Sequence, residues 1–187
     1  MKRIPFLAIV LLAFAFPAHA QDAMKKDAVV KPADPESKVV LDSWNEIGRK
    51  LTALAEDFPE DKYDFKPTPA QRSFAEQLLH AAGSCYYFTN PAMGLKPPAA
   101  EDPKREQYKS KADIVAFVKK SFADGAAAIQ SKGEKGLMTE VVYYPKQKAR
   151  LLDTAYGIIE HSGEHYGQLV VYYRLAGLVP PESRPKK

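Results

Sequence analysis

The sequence predicts an all-α protein: a four-helix bundle whose second and third helices are joined by a long crossover, preceded by a cleaved signal peptide. Three observations carry that expectation. Apolar residues recur at alternating steps of four and three in separate segments, the stripe of a helix with one buried face. Two segments open on a reciprocal cap, Ser73 with Glu76 and Ser110 with Asp113. Between them lies a proline-rich stretch, Asn90 to Lys109, of about twenty residues. Extended, it reaches about 65 Å, against ~30 Å for a helix of that length, so the chain can run the height of a bundle and lay two helices parallel.

The chain has 187 residues, which fits one domain. Lys2 and Arg3 precede an apolar run, Leu7 to Phe16, and Ala18-His19-Ala20 sets small residues where a signal peptidase reads. That run is too short to span a bilayer, so no membrane span is expected in the mature chain. Residues 1–20 therefore read as a signal peptide, and the protein as exported, to the periplasm or the medium. Residues 21–36 are polar, carry Pro32 and Pro35, and read as a flexible leader. The bundle is expected over 37–183 and a soluble tail over 184–187.

Lys and Arg number 27 against 23 Asp and Glu. With Lys2 and Arg3 in the signal peptide the remainder is nearly balanced, which argues against a nucleic-acid partner. Cys85 is the single cysteine, so no internal disulfide can form, and a packed core must supply the stability.

The first helix is expected from near Ser37, with Val40, Trp44, Ile47, Leu51, Leu54 and Phe58 as its stripe, Trp44 as the largest anchor and Pro59 as its end. The loop Asp61 to Gln71 carries two aromatics that pin it to the end of the bundle. The second helix follows Ser73, with Phe74, Leu78, Ala81, Cys85 and Phe88 facing the core and His80 beside them. Ala81-Ala82-Gly83-Ser84 leaves room there for a neighbouring helix or a ligand. The third helix carries Val115, Val118, Phe122, Ala126 and Ile129 and ends in a polar turn, Ser131 to Gly136. Leu137 to Tyr144 has the composition of a strand but no evident partner, and reads as an extended lead into a fourth helix beginning after Pro145. There Lys146 and Lys148 would oppose the positive helix end. The fourth stripe is Leu151, Ala155, Ile158, Ser162, His165, Leu169, Tyr172 and Ala176; Gly177, Pro180 and Pro181 stop it.

Beyond the leader the chain has three histidines, His80, His161 and His165. Residues four apart on a helix lie about 40° apart round its axis, so His161 and His165 leave one face. All three map to inward faces. Imidazole suits borderline divalent metals such as zinc, nickel or iron. Three protein ligands leave a coordination position open, the pattern of a reactive centre and not of a sealed structural one. The pair is not the H-E-x-x-H of a zinc protease, since Ser162 follows His161. Nor does Glu-x-x-His occur twice, as a di-iron bundle requires. Gln168 and Tyr172 follow His165 by one and two turns and are candidates for orienting a ligand. Glu76, one turn before His80, is the nearest carboxylate candidate, although its cap explains it equally well. Three readings stand: a metal-dependent hydrolase or group transferase acting on a small molecule, a metal- or ligand-binding module without turnover, and a helical scaffold.

Three segments carry a resemblance to a known family: Tyr63-Asp64-Phe65-Lys66-Pro67-Thr68-Pro69, Ser73 to His80, and His161 to Pro181 with its H-x-x-x-H-x-G-Q-L-V-V-Y-x-R-L-x-G-L-V-P-P. The chain resembles the DinB-like (DinB/YfiT-like) family of four-helix-bundle metalloenzymes over about Ser37 to Ser183. The resemblance implies a divalent metal on His80, His161 and His165, the long crossover between helices two and three, and pairing of protomers into a homodimer. Some members resemble metal-dependent transferases of low-molecular-weight thiols; the signal peptide departs from those cytoplasmic proteins.

Overall fold

The computed structural model describes residues 35–99, 102–144 and 147–185, so the expected signal peptide, most of the leader and the last two residues lie outside the described part. The fold is mostly helical, four helical rods with one small hairpin, and to that extent the expected all-α class is corrected. Helix α1 spans Glu36–Asp57. The second rod is divided into α2, Phe74–Ser84, and α3, Tyr86–Ala92. Helix α4 spans Lys111–Leu137 and α5 spans Leu151–Leu175. Strands β1, Glu140–Tyr144, and β2, Gln147–Arg150, lie between α4 and α5. The second rod packs on α4 and α5, and α1 packs on the same two helices. No helix among the described residues is long and apolar enough to cross a membrane.

The stripe on α1 is buried from Val40 to Phe58, as its periodicity requires. Pro35 offers the helix no side-chain cap; the Ser37 N–H donates instead to Glu134 Oε2 of α4, at 3.0 Å. Trp44 is fully buried, its ring beside Phe88 and Phe122, and its Nε1 donates to the Phe122 carbonyl at 2.8 Å. Helix α4 can come this close because residue 125 is glycine: a Cβ there would lie 2.0 Å from the Trp44 ring. Tyr63 and Phe65 do pin the loop after α1. Tyr63 packs on Phe58 and Phe74, and Phe65 meets Tyr172 edge-on.

Both caps form as expected. Ser73 and Glu76 bond reciprocally at 2.6 and 3.2 Å, and Ser110 and Asp113 at 2.9 and 3.1 Å. Three details of the helices differ from expectation. The second helix does not run unbroken through Phe88. Ser84 Oγ donates to the His80 carbonyl and the Cys85 N–H turns to Ala82, which tightens the backbone at Cys85 and starts α3. Helix α3 then continues to Ala92, so the crossover starts at Met93. The stripe of α4 sits one residue earlier than predicted at two places: Ile114 and Gly125 are buried, whereas Val115 and Ala126 lie at the edge. The expected turn at Ser131 to Gly136 is instead a kink within the helix at Gly133, φ 58°.

The segment Leu137 to Tyr144 does have a partner. β1 pairs antiparallel with β2, Val141 opposite Ala149 and Val142 opposite Lys148. The fourth helix therefore starts at Leu151, six residues after Pro145. Lys148 lies on a strand, 3.5 Å from Glu140, and does not oppose a helix end. At the other end of α5, Gly177 takes φ 76° and the Leu178 N–H returns to the Tyr173 carbonyl, closing the helix as Gly177 and the following prolines imply.

The crossover lies against α2. Its Pro103 ring occupies the space a side chain at Gly83 would need, 2.9 Å from an ideal Cβ. The small residues after His80 thus make room for this loop. Arg105 fastens it a second time, through Asp64 at 2.9 Å.

Candidate metal centre

His80 projects from α2, two turns after the Ser73 cap, and His161 and His165 project from successive turns of α5. The fold brings all three together. Their ring centroids are 4.3 to 5.1 Å apart. Each offers a nitrogen, and these atoms lie within 4.8 Å of one another. In a tetrahedral zinc site with bonds of about 2.0–2.1 Å, ligand nitrogens sit roughly 3.4 Å apart. The 3.0 Å between His161 Nε2 and His165 Nε2 is close to that value. His165 is buried and the other two are half-buried.

Burial, followed by the neighbouring imidazoles, holds His165 down to about 4. Burial and then the charge on His80 lower His161 as well. Both rings are therefore neutral near pH 7 and keep a lone pair for a cation. His161 Nδ1 and Ser162 Oγ are buried with no hydrogen-bond partner. An orphaned ring nitrogen on His161, beside a second imidazole at hydrogen-bond distance, makes a poor purely structural arrangement and a good donor set. The residues present fit a divalent metal ion.

A surrounding layer orients the rings. Asp102, from the crossover, places Oδ1 2.6 Å from His80 Nδ1 and accepts from Arg72 Nη2 at 3.0 Å through Oδ2. Burial raises the Asp102 carboxyl, but His80 and Arg72 outweigh it and hold the acid below the usual carboxylate range. With its Nδ1 proton held by Asp102, His80 presents Nε2 to the cluster. Gln77, on α2, contacts His165 Nδ1 at 2.5 Å and also touches Gln168. With the Gln77 N–H directed at Nδ1, His165 would carry its proton on Nε2 and point it at His161. A metal held by His165 Nε2 needs the other tautomer, in which Nδ1–H donates and the Gln77 amide turns its oxygen to the ring.

Gln168 was a candidate from its spacing, and it does reach the site, its Oε1 3.2 Å from His165 Nδ1. Tyr172 stands one step back: its hydroxyl donates to the Arg72 carbonyl at 2.6 Å and fixes the residue whose side chain holds Asp102. Glu76 is not the carboxylate of the site. It is engaged by the Ser73 cap and by Lys66 at 3.1 Å, and Asp102 takes the place it was a candidate for. Gln77 was within reach of sequence reasoning, being three residues before His80 on the same helix. Asp102 was not, because nothing local ties it to a histidine 22 residues away.

No curated protein sequence matches the chain. Solved structures share the fold, among them two DinB-like proteins. A DinB-like protein from Bacillus cereus superposes with a TM-score of 0.64 at 19% identity, over 77% of this chain and 95% of its own. A DinB-like protein from Bacillus subtilis superposes with a TM-score of 0.62 at 21% identity, over 79% and 99%. The model of the DinB superfamily matches residues 44–169, a span that contains all three histidines. With that match covering most of its length, the chain belongs to the DinB superfamily.

Proposed function

We propose that the protein is a metal-dependent enzyme, a hydrolase or group transferase, that holds zinc, nickel or iron on His80, His161 and His165. The observation that carries the reading is the convergence of three imidazoles from two helices, two of them held neutral by burial, with His80 and His161 also lining a cavity. A divalent ion there supplies Lewis acidity at an open coordination position. The chain's own part is to fix the rings: Asp102 orients His80, Gln77 and Gln168 orient His165, and Arg72 keeps Asp102 in place. The test is metal analysis of protein purified without a histidine tag, before and after chelation, beside H80A, H161A and H165A variants. About one ion per chain, lost in each variant, supports the reading; unchanged metal content in all three ends it.

One observation favours a binding module without turnover. The carboxylate that contacts the cluster, Asp102, is engaged by both His80 and Arg72, so it is not free to serve as a general base. Turnover of any ester, amide or transferable group by the loaded protein, abolished with the metal, decides for the enzyme.

The proposal includes export. Its support is the basic start, apolar run and small-residue cleavage point of residues 1–20. N-terminal sequencing of the mature protein is expected to begin at Gln21.

A further inference from the structure

We infer that the cavity beside the histidines binds a planar aromatic small molecule, neutral or cationic, with its ring against Tyr87 and Tyr144. This rests on the metal-centre reading only for what such a molecule meets at its inner end; the ring site stands on its own contacts.

The cavity holds about 470 Å³, within the range of small-molecule sites. His80 and His161 form one wall. The hairpin contributes Tyr144 and α3 contributes Tyr87, whose rings meet at 5.7 Å and 33° and make a continuous aromatic surface. Such surfaces take another ring by offset stacking or edge contact. Gly157 of α5 also lines the cavity. A Cβ at that position would meet nothing within 4 Å, so no packing contact demands glycine there. Glycine within a helix is destabilising relative to alanine. What its bare backbone does is keep this side of the cavity open.

The charge of the lining selects against anions. Among the described residues it contains two carboxylates, Asp153 and Glu160, and no lysine or arginine. Asp153 is neutralised by Arg150, which grips it at 2.8 and 2.6 Å. Glu160 is exposed and takes no ion pair among the described residues, and tyrosine faces themselves attract cations. A second cavity, of about 830 Å³, shares His80, Tyr87 and Tyr144 with the first and is lined also by the Arg72–Asp102 pair and Lys104.

The test uses the full mature chain, freed of metal by chelation, and follows backbone amide shifts by NMR. The probes are benzyl alcohol, benzylamine, phenylacetate and cyclohexylmethanol. Benzyl alcohol and benzylamine are expected to shift Tyr87, Tyr144 and Gly157, with phenylacetate and cyclohexylmethanol about tenfold weaker or more. G157L, which fills the open side, is expected to weaken the two aromatic probes about tenfold, whereas G157A, adding one methyl, retains them. Zinc binding by both variants reports that the fold is intact. Equal binding of cyclohexylmethanol and benzyl alcohol overturns the aromatic assignment, and equal binding of phenylacetate and benzylamine overturns the charge assignment. An absence of shifts in the wild type, or unchanged binding in G157L, overturns the site. Because these titrations use metal-free protein, a wild type that binds probes but no zinc would sink the metal reading alone.

Discussion

Asp102 Oδ1 lies 2.6 Å from His80 Nδ1, so a carboxylate on the crossover sets which nitrogen of a helix α2 histidine faces the cluster. Replacing it tests whether that contact matters for metal. D102A is expected to weaken zinc binding about 10- to 100-fold, the usual effect of losing an outer partner of a ligating histidine. D102N retains an acceptor and should lose less. Competition against a chromophoric chelator measures both; wild-type affinity in D102A would refute the orienting role.

Gln77 makes a separate prediction through the tautomer of His165. The metal-free protein is expected to carry the His165 proton on Nε2, and the zinc form on Nδ1. Long-range ¹⁵N correlation spectra of the two forms should show that exchange. Q77L removes the acceptor for Nδ1–H and is expected to cost about tenfold in zinc affinity. The same tautomer in both forms would contradict the amide rotation.

Acid should destabilise the metal-free protein through its two buried imidazoles. His165 is held at about 4 in the folded chain against 6.5 when unfolded, and His161 shifts in the same direction. The unfolded chain therefore binds more protons between those values. Stability is complete above about pH 6.5 and falls as the pH drops towards 4, by up to about 1.4 kcal/mol per pH unit from His165, with His161 adding in the same direction. Urea unfolding across this range, with H165F as the comparison, measures it. A slope as steep in H165F as in the wild type would assign the loss elsewhere.

G125A tests the closest helix contact. Its methyl would enter the Trp44 ring, so α1 and α4 must separate or the ring must turn and forfeit its bond to Phe122. A loss of about 1–3 kcal/mol is expected by chemical denaturation, with the tryptophan emission shifted. Stability equal to the wild type would show that the contact is slack.

Much of this was legible in the sequence because it depends on local rules. The α1 stripe, both caps and the Gly177 stop follow from spacing within a few residues, and four-residue spacing alone puts His161 beside His165. His80 needed the second helix face and joined them as expected. The hairpin was hidden because β2, Gln147–Arg150, is polar and looks nothing like a strand; pairing to β1, and not propensity, makes it one. The α4 stripe slipped by one because Ile114 and Val115 are both apolar, and periodicity cannot choose between adjacent hydrophobes. Asp102 and Arg72 were invisible for a different reason. Their roles exist only once the crossover has folded across α2.

That crossover is held at Gly83 by Pro103, at Asp64 by Arg105 and at His80 by Asp102. The third of these attachments is shared with the candidate centre, and linkage between two events at one contact is reciprocal. Whatever grip the ion gains from the strap, the strap gains from the ion. Loading with zinc should therefore slow amide exchange at Asp102 and Lys104, far along the chain from α5, and cutting the strap should loosen the ion in equal measure.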